Sequence, residues 1–306
     1  MKKRLIAIIL IMIVILSGCS TPKEAEPIKD DMINVLMIGN SFCRYYVEEL
    51  YGMAAAADVD MKVYNLYYGG CPMENHWNWL QQDKNMYEFY VTDAEGRRQV
   101  TALKVTLKQA LEEEEWDVIS LQDGSNTQLT TQEELVEHAA PYAKQLYAYL
   151  REQFPNARYL WHHTWAYEVG YVKEEQPTRN VPDKANQTER WTNNRAVANY
   201  IQKENDVDIV PSGDAWEMVR SDGYFGLCGS SIKPTTKSPN NTYGDYFHDG
   251  DLGGGQYLNA CVWFETITGK SCIGNTYEPE YTLNFSKEKL QQYAHKAVSE
   301  MYGEAE

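Results

Sequence analysis

Short apolar runs alternate along the chain with longer segments in which apolar residues recur near helical spacing. The first run, residues 35–38, leads directly into Gly39, as expected for a strand that is buried on both faces. A second run, residues 61–67, alternates apolar and polar positions and ends just before Gly69 and Gly70. The pattern predicts strands over 32–38, 61–67, 116–121, 157–164 and 207–210, and helices over 45–57, 101–115, 131–154, 187–204, 213–219, 253–268 and 285–302.

Strands that alternate with helices of this length indicate a parallel sheet covered on both faces. We therefore expect a three-layer α/β/α sandwich around a central parallel sheet of about five strands. Residues 71–100 have no clear period and are predicted to form a long loop with short pieces of structure, and residues 221–244 are predicted to form a second long loop. Such loops are natural rims for a pocket.

The amino terminus has the features of an export signal. Three basic residues precede an apolar run over 5–16, which is too short to be a confident membrane span. The following Leu16-Ser-Gly-Cys19 resembles the bacterial lipobox, which implies lipidation of Cys19. We expect a lipoprotein signal peptide over 1–18, a lipidated tether over 19–31 and one domain over 32–306, held outside the cytoplasm in a bacterial cell envelope. An ordinary signal peptide or an uncleaved anchor is the alternative.

Charge narrows the classes of partner. The formal net charge is −16, which argues against binding to nucleic acid or to an anionic membrane face through charge. The 23 Tyr and 8 Trp residues can stack on sugar rings, although such residues also fill ordinary cores. Composition therefore favours a carbohydrate partner only slightly and leaves the oligomeric state open.

Cysteine usage and acidic clusters give little support for a metal. Five cysteines follow Cys19, so at least one thiol is expected to be free, and no CxxC pair suggests structural zinc. Asp245, Asp249 and Asp251 make an oxygen-rich cluster, but they lack the ligand pattern of an EF-hand loop. We therefore expect neither a metal nor another cofactor.

The candidate chemistry begins at Ser41, which follows the first strand through Gly39 and Asn40 and precedes a predicted helix. Open α/β sheets place their chemistry at the carboxyl ends of strands, and a helix amino terminus suits a developing oxyanion. The plainer interpretation is a strand-to-helix turn in which Ser41 only caps the helix. A base would have to come from elsewhere in the chain to favour catalysis.

Asp245-Tyr-Phe-His248 supplies a candidate for that base. The spacing of three residues places both side chains on one side of a turn, so Asp245 can accept the Nδ1 proton of His248 and leave Nε2 free. The alternative is a polar loop with a surface histidine.

Together these motifs resemble the SGNH, or GDSL-type, hydrolase superfamily: Gly39-Asn40-Ser41 near the amino terminus, Gly70 after the second strand, and Asp245-x-x-His248 near the carboxyl terminus. Residues 257–269 also resemble a lipoprotein-rich branch of these proteins. The resemblance implies that Ser41 is the nucleophile, His248 the base and Asp245 the group that orients it. It also implies that the backbone N–H groups of Ser41 and Gly70 are oxyanion donors.

The segment that follows the third predicted strand departs from the superfamily pattern of Gly-x-Asn-Asp. Here the predicted strand is followed by Gln122-Asp-Gly-Ser-Asn126, which resembles the equivalent stretch of carbohydrate acetyl esterases. That resemblance implies that the Gln122 amide is the third oxyanion donor, with Asn126 as the second choice. The plainer interpretation is a turn whose polar groups satisfy their own backbone.

Other residues are candidates for substrate contact. Asn40 and Asn126 flank the proposed centre, His163 lies at the end of the fourth strand, and Trp77 follows Gly70 closely. His163 is more simply a buried polar neighbour, and Trp77 is as well explained by packing under the loop.

These patterns favour an extracytoplasmic serine esterase that deacetylates a carbohydrate by acyl transfer through Ser41, His248 and Asp245. The alternative from another class is a non-catalytic glycan-binding lipoprotein on a degenerate hydrolase fold. A third possibility, a metal-dependent phosphoesterase, requires Asp249 and Asp251 to converge with His162.

Overall fold

A computed structural model describes residues 32–92, 96–123, 131–167, 181, 183–222, 254–280 and 286–303. Within these ranges the strands are β1 (Ile33–Gly39), β2 (Met61–Tyr67), β3 (Tyr87–Thr92), β4 (Arg98–Val105), β5 (Val118–Leu121), β6 (Arg158–His162) and β7 (Asp208–Val210). The helices are α1 (Val47–Ala56), α2 (Met73–Gln82), α3 (Leu107–Leu111), α4 (Gln132–Gln153), α5 (Lys184–Asn205), α6 (Ser212–Ser221), α7 (Gly255–Thr268) and α8 (Lys287–Tyr302).

The strands form one sheet in the order β4-β3-β2-β1-β5-β6-β7. Five neighbouring strands, β2, β1, β5, β6 and β7, are parallel to one another. Strands β3 and β4 add an antiparallel edge beside β2. When these five parallel strands are renumbered 1 to 5 along the chain, their order in the sheet is 2-1-3-4-5. This is the strand order of flavodoxin-like folds. The predicted α/β class and the five parallel strands are confirmed.

Both faces of the sheet are covered because the central strands carry buried apolar side chains on both of their sides. Val35 and Met37 of β1 pack with α1, α6, α7 and α8, whereas Leu36 and Ile38 face α2, α3, α4 and α5. The two clusters make the outer layers of a three-layer sandwich. A strand with apolar side chains on both faces is stable only in such a position.

The second quarter of the chain corrects the sequence interpretation. The predicted loop over 71–100 contains α2 and β3, and the predicted helix over 101–115 is wrong because residues 98–105 form the edge strand β4. Only the short α3 remains of that helix, and it begins at a capping box made by Thr106 and Gln109. No residue of β4 is fully buried, so its few apolar side chains do not show the alternation of a half-buried strand.

Other expected elements are present within a few residues of their predicted ends. Strand β2 has the predicted bounds, and α4 begins after Thr131, whose side chain accepts from the Glu134 N–H in a second capping box. The four described cysteines, Cys43, Cys71, Cys261 and Cys272, are free thiols and buried.

The predicted signal peptide, Cys19 and the tether lie outside the described residues, as does Cys228. In the part of the chain that is described, no helix is both long enough and apolar enough to cross a bilayer. The predicted domain boundaries stay predictions.

Candidate active site

Ser41 lies at the carboxyl edge of the sheet, where the chain leaves β1. Strands β1 and β5 are neighbours in register from Val35 with Val118 to Ile38 with Leu121, so their carboxyl ends finish side by side. The strand order reverses direction between these two strands, and ligands bind open α/β sheets at such a switch point. Ser41 is partly exposed there and begins a short 3-10 turn ahead of α1.

Asn40 joins the ends of the two strands through its side chain. Its Oδ1 accepts from the Phe42 backbone N–H at 3.1 Å and from Gln122 Nε2 at 2.6 Å. Its Nδ2 donates to the Asp123 carbonyl oxygen at 3.2 Å. Because Asn40 is 1% exposed, these bonds form away from bulk water and fix the backbone that carries Ser41.

Gln122 lies directly under this junction and is 1% exposed. Its Nε2 donates to Asn40 Oδ1 at 2.6 Å and, over a longer 3.4 Å, to the Asp123 carbonyl oxygen. Gln122 Oε1 is buried with no hydrogen-bond partner among the described residues. It packs against Gly39, where an added Cβ would lie only 2.9 Å from that oxygen, so the site needs glycine for space.

The turn after β2 lies beside the same edge. The Tyr68 N–H donates to the Gly39 carbonyl oxygen at 3.1 Å, and the Cys71 N–H closes the turn on the Tyr68 carbonyl at 3.2 Å. Gly70 takes a φ of 65° in this turn, a left-handed conformation that favours glycine. The structure therefore brings Ser41, Gly70 and Gln122 to one edge of the sheet, and their roles as oxyanion donors stay predictions.

Asp123 is the residue of this edge that the sequence analysis did not single out. Its Oδ1 accepts from the Met73 N–H at 2.9 Å, at the first turn of α2, while its carbonyl oxygen accepts from Asn40. Asp123 thus ties the turn that carries Gly70 to the end of β5. Its position directly after Gln122, at the end of a buried strand, is the signal that could have identified it.

The two consecutive histidines at the end of β6, His162 and His163, are buried. His162 Nε2 lies 3.1 Å from Ser212 Oγ, and burial together with the neighbouring His163 lowers the pKa of His162 well below its ordinary value. His163 Nδ1 lies 3.6 Å from Asp214 Oδ2, and Asp214 also pairs with Arg195. Burial alone would raise the pKa of Asp214. His163 and Arg195 lower it by more than burial raises it, so the pKa of Asp214 lies below its ordinary value.

His163 is 1% exposed and its ring packs against Gly213, which makes the buried polar neighbour a sufficient account of its position. Trp77 is half-buried on α2 and packs against the core on that face of the sheet. Substrate contact by either residue stays a prediction.

Asp245, His248 and Asn126 lie outside the described residues, so the proposed base, its orienting carboxylate and the second-choice oxyanion donor stay predictions. Asp249 and Asp251 also lie outside them. Among the residues that are described, no group of three His, Cys, Asp or Glu side chains is arranged to hold a metal ion.

A family model described as a domain of unknown function, DUF4886, matches residues 34–298. The chain belongs to the DUF4886 family. It is similar to the crystal structure of a DUF4886 family protein from Bacteroides uniformis ATCC 8492, with 26% sequence identity and a TM-score of 0.69. That match covers 88% of this chain and 95% of the other. The sequence matches none of the curated proteins.

Two further solved structures match the chain at lower similarity. A candidate GDSL-like lipase from Parabacteroides merdae ATCC 43184 is 14% identical with a TM-score of 0.45, and the match covers 79% of this chain and 99% of that one. Phospholipase A1 from Streptomyces albidoflavus NA297 is 11% identical with a TM-score of 0.41, over 78% and 100% of the two chains.

The DUF4886 match runs from the start of β1 into α8. It therefore includes the edge built by Asn40, Ser41 and Gln122, and the segment that carries Asp245 and His248. This DUF4886 chain also has the α/β/α architecture that the SGNH resemblance implies.

Proposed function

We propose that this DUF4886 protein is a serine ester hydrolase that removes an acetyl group from a carbohydrate, with Ser41 as the nucleophile and no cofactor. The observation that carries the proposal is the hydrogen-bonded junction around Asn40, which holds the Ser41 backbone at the switch point of the sheet. A plain helix cap would not need a buried three-way junction between two strand ends.

In the proposed reaction, Ser41 Oγ transfers its proton to His248 Nε2 as it bonds to the acyl carbon. The carbonyl electron pair moves onto oxygen, and its return expels the sugar oxygen, which takes the proton from His248. Water then gives a proton to His248 and its oxygen attacks the acyl-serine. Collapse of that second intermediate returns the proton to Ser41 and releases acetic acid, which loses its proton to water and becomes acetate. Asp245 keeps Nδ1 of His248 protonated throughout.

The oxyanion would accept hydrogen bonds from the backbone N–H groups of Ser41 and Gly70 and from the Gln122 amide. Gln122 already gives one amide hydrogen to Asn40, so the other, held only loosely by the Asp123 carbonyl at 3.4 Å, is the one left for the oxyanion. Losing one such donor typically lowers the rate by about 10²–10³-fold.

The proposed setting is a bacterial cell envelope, with the chain anchored by lipid at Cys19 and facing outside the cytoplasm. Support for this comes from the basic and apolar run at the amino terminus and from the lipobox resemblance. The proposed partner is an acylated carbohydrate, which suits a chain with a formal net charge of −16 better than a polyanion does.

Hydrolysis of p-nitrophenyl acetate and acetylated xylan by the purified protein tests this function. Replacing Ser41 by Ala is expected to lower the rate by at least about 10³-fold, because the attacking oxygen is lost. Ser212→Ala is the matched control, since Ser212 lies at the same edge, also contacts a histidine, and is fully buried. It should retain activity. Equal rates for the Ser41→Ala variant and the parent would contradict the proposal and favour the non-catalytic glycan-binding alternative.

A further inference from the structure

Arg44 occupies an aromatic corner beside the candidate active site. Its Cζ lies 4.6 Å from the centroid of the Tyr67 ring and 4.6 Å from that of Tyr90. The two rings meet edge to face with centroids 6.3 Å apart, because they are diagonal neighbours on the antiparallel pair β2 and β3. Contact with two aromatic rings holds the guanidinium in one place and removes much of its water.

No acidic side chain among the described residues pairs with Arg44. Its Nε is buried and has no hydrogen-bond partner in that part of the chain. Two carboxylates of the described elements around this corner have other partners: Glu48 accepts from the Arg98 backbone N–H at 2.8 Å, and Glu88 accepts from the Tyr90 hydroxyl. A second guanidinium, that of Arg98, lies 5.5 Å from the Tyr90 centroid and donates to the Arg44 carbonyl oxygen at 2.6 Å.

The aromatic corner adjoins both turns of the candidate site. The Arg44 N–H donates to the Ser41 carbonyl oxygen at 3.3 Å, so the arginine ends the turn that begins with the nucleophile. The Tyr67 hydroxyl borders the other turn, since a Cβ added to Gly69 would lie 3.3 Å from that oxygen. A ligand group held at Arg44 would therefore lie next to an ester placed over Ser41 and Gly70.

From this arrangement we propose that Arg44 binds a carboxylate on the sugar, so that the substrate is an acetylated acidic carbohydrate such as a uronic acid. A guanidinium offers a planar fork of N–H donors that matches a carboxylate, and fixing it against rings reduces the entropy lost on binding. In a chain with a net charge of −16, an arginine that has no acidic partner among the described residues is a local feature that attracts an anion. The substrate assignment depends on the proposed esterase function, whereas the carboxylate site can be tested by binding alone.

The binding test compares methyl β-D-glucuronide with methyl β-D-glucoside, which differ in the carboxylate, by titration of the purified protein at low salt. The glucuronide is expected to bind at least about 10-fold more tightly, because a hydrogen bond to a charged group is stronger than one to a neutral group. Equal affinities, a preference for the glucoside, or no measurable binding of the glucuronide would overturn the proposal. This comparison needs no variant.

Variants then assign the preference to Arg44. Arg44→Gln should remove most of the glucuronide preference, and Arg44→Lys should retain part of it because the charge remains while the fork is lost. Arg151→Gln is the matched control, since Arg151 also lies over two tyrosine rings. It lies near the amino-terminal end of β6, whereas Arg44 lies beside the carboxyl edge of the sheet. The Arg151→Gln variant should keep the parental preference. A preference that survives in a folded Arg44→Gln variant, checked by circular dichroism, would overturn the assignment to Arg44.

Turnover separates this proposal from the esterase function. With the acetylated forms of the two sugars, the parent should hydrolyse the acidic one with the higher kcat/KM, and Arg44→Gln should lower the acidic-to-neutral ratio by about 10-fold or more. Tighter glucuronide binding without any hydrolysis contradicts the esterase and leaves the carboxylate site supported. Hydrolysis of both sugars with equal binding contradicts the carboxylate site alone.

Discussion

Replacing Asn40 by Ala tests the junction on which the candidate site is built. The substitution removes an acceptor from the Phe42 N–H and from Gln122 Nε2, and a donor from the Asp123 carbonyl oxygen. The surrounding backbone is buried, so water cannot easily replace the lost groups. The strand ends should then lose their mutual register.

The expected cost follows from the groups left unpaired. A buried donor without an acceptor costs about 1–3 kcal/mol, and two donors are affected here. Gln122 Nε2 keeps its longer contact to the Asp123 carbonyl, which offsets part of the loss. We expect the free energy of unfolding to fall by about 2–4 kcal/mol. Activity on p-nitrophenyl acetate should fall by about 10²-fold, because Ser41 loses its fixed position.

Asn40→Asp is the graded control. An aspartate keeps both acceptor bonds but places an oxygen 3.2 Å from the Asp123 carbonyl oxygen, where Nδ2 now donates. Urea unfolding should therefore rank the parent first, Asn40→Asp second and Asn40→Ala last. An unfolding free energy for Asn40→Ala within about 0.5 kcal/mol of the parent, the range typical of surface substitutions, would refute the reasoning.

Two further predictions concern space and charge. Gly39→Ala places a Cβ 2.9 Å from Gln122 Oε1 and 3.1 Å from Cys43 Sγ. Urea unfolding should therefore show a free energy of unfolding lower by about 1–3 kcal/mol, and esterase activity should fall. Full activity in this variant would contradict the close packing of Gln122 on Gly39. Burial lowers the pKa of His76 to about 3 from an ordinary value of 6.5, so the unfolded chain binds the proton more readily than the folded one. The stability that is present above pH 6.5 should therefore be lost as the pH falls toward 3. The loss should amount to at most about 1.4 kcal/mol per pH unit. Unfolding at pH 7, 5.5 and 4 should show this acid slope weakened in His76→Gln, and an unchanged slope would contradict the burial of a neutral imidazole.

Much of the fold could be predicted because its core strands have strong local signals. Strand β1 is apolar at consecutive positions and ends at glycine, and β2 ends at a glycine pair, so both were recognisable without knowledge of their partners. Residues at the carboxyl ends of parallel strands necessarily meet at one edge, which is why Ser41, Gly70 and Gln122 could be placed together.

The antiparallel edge could not be predicted in the same way. Strand β4 depends on pairing with β3, and Val100 and Leu103 of β4 are exposed, so its residues lack a buried face. Lys104 also takes a positive φ, which breaks the regular alternation near the end of the strand. In contrast, α2 had a usable signal, because Met73, His76 and Leu80 recur at helical spacing and are buried.

The Arg44 site had no signal in the linear sequence. Tyr67 and Tyr90 lie on different strands, and their rings become neighbours only through the β2–β3 pairing that the sequence analysis missed. The bonding of Gln122 to Asn40 was hidden for a related reason, since it depends on the side-by-side ends of β1 and β5.

The central claim is that Ser41 is an activated nucleophile, and covalent labelling tests it most directly. A fluorophosphonate reacts with an activated serine by forming a phosphorus–oxygen bond with loss of fluoride, and peptide mass spectrometry then locates the adduct. We expect one adduct on Ser41 in the parent and in Ser212→Ala, and none in Ser41→Ala. An unlabelled Ser41 in a folded protein that still hydrolyses p-nitrophenyl acetate, or an adduct on another serine, would contradict the account.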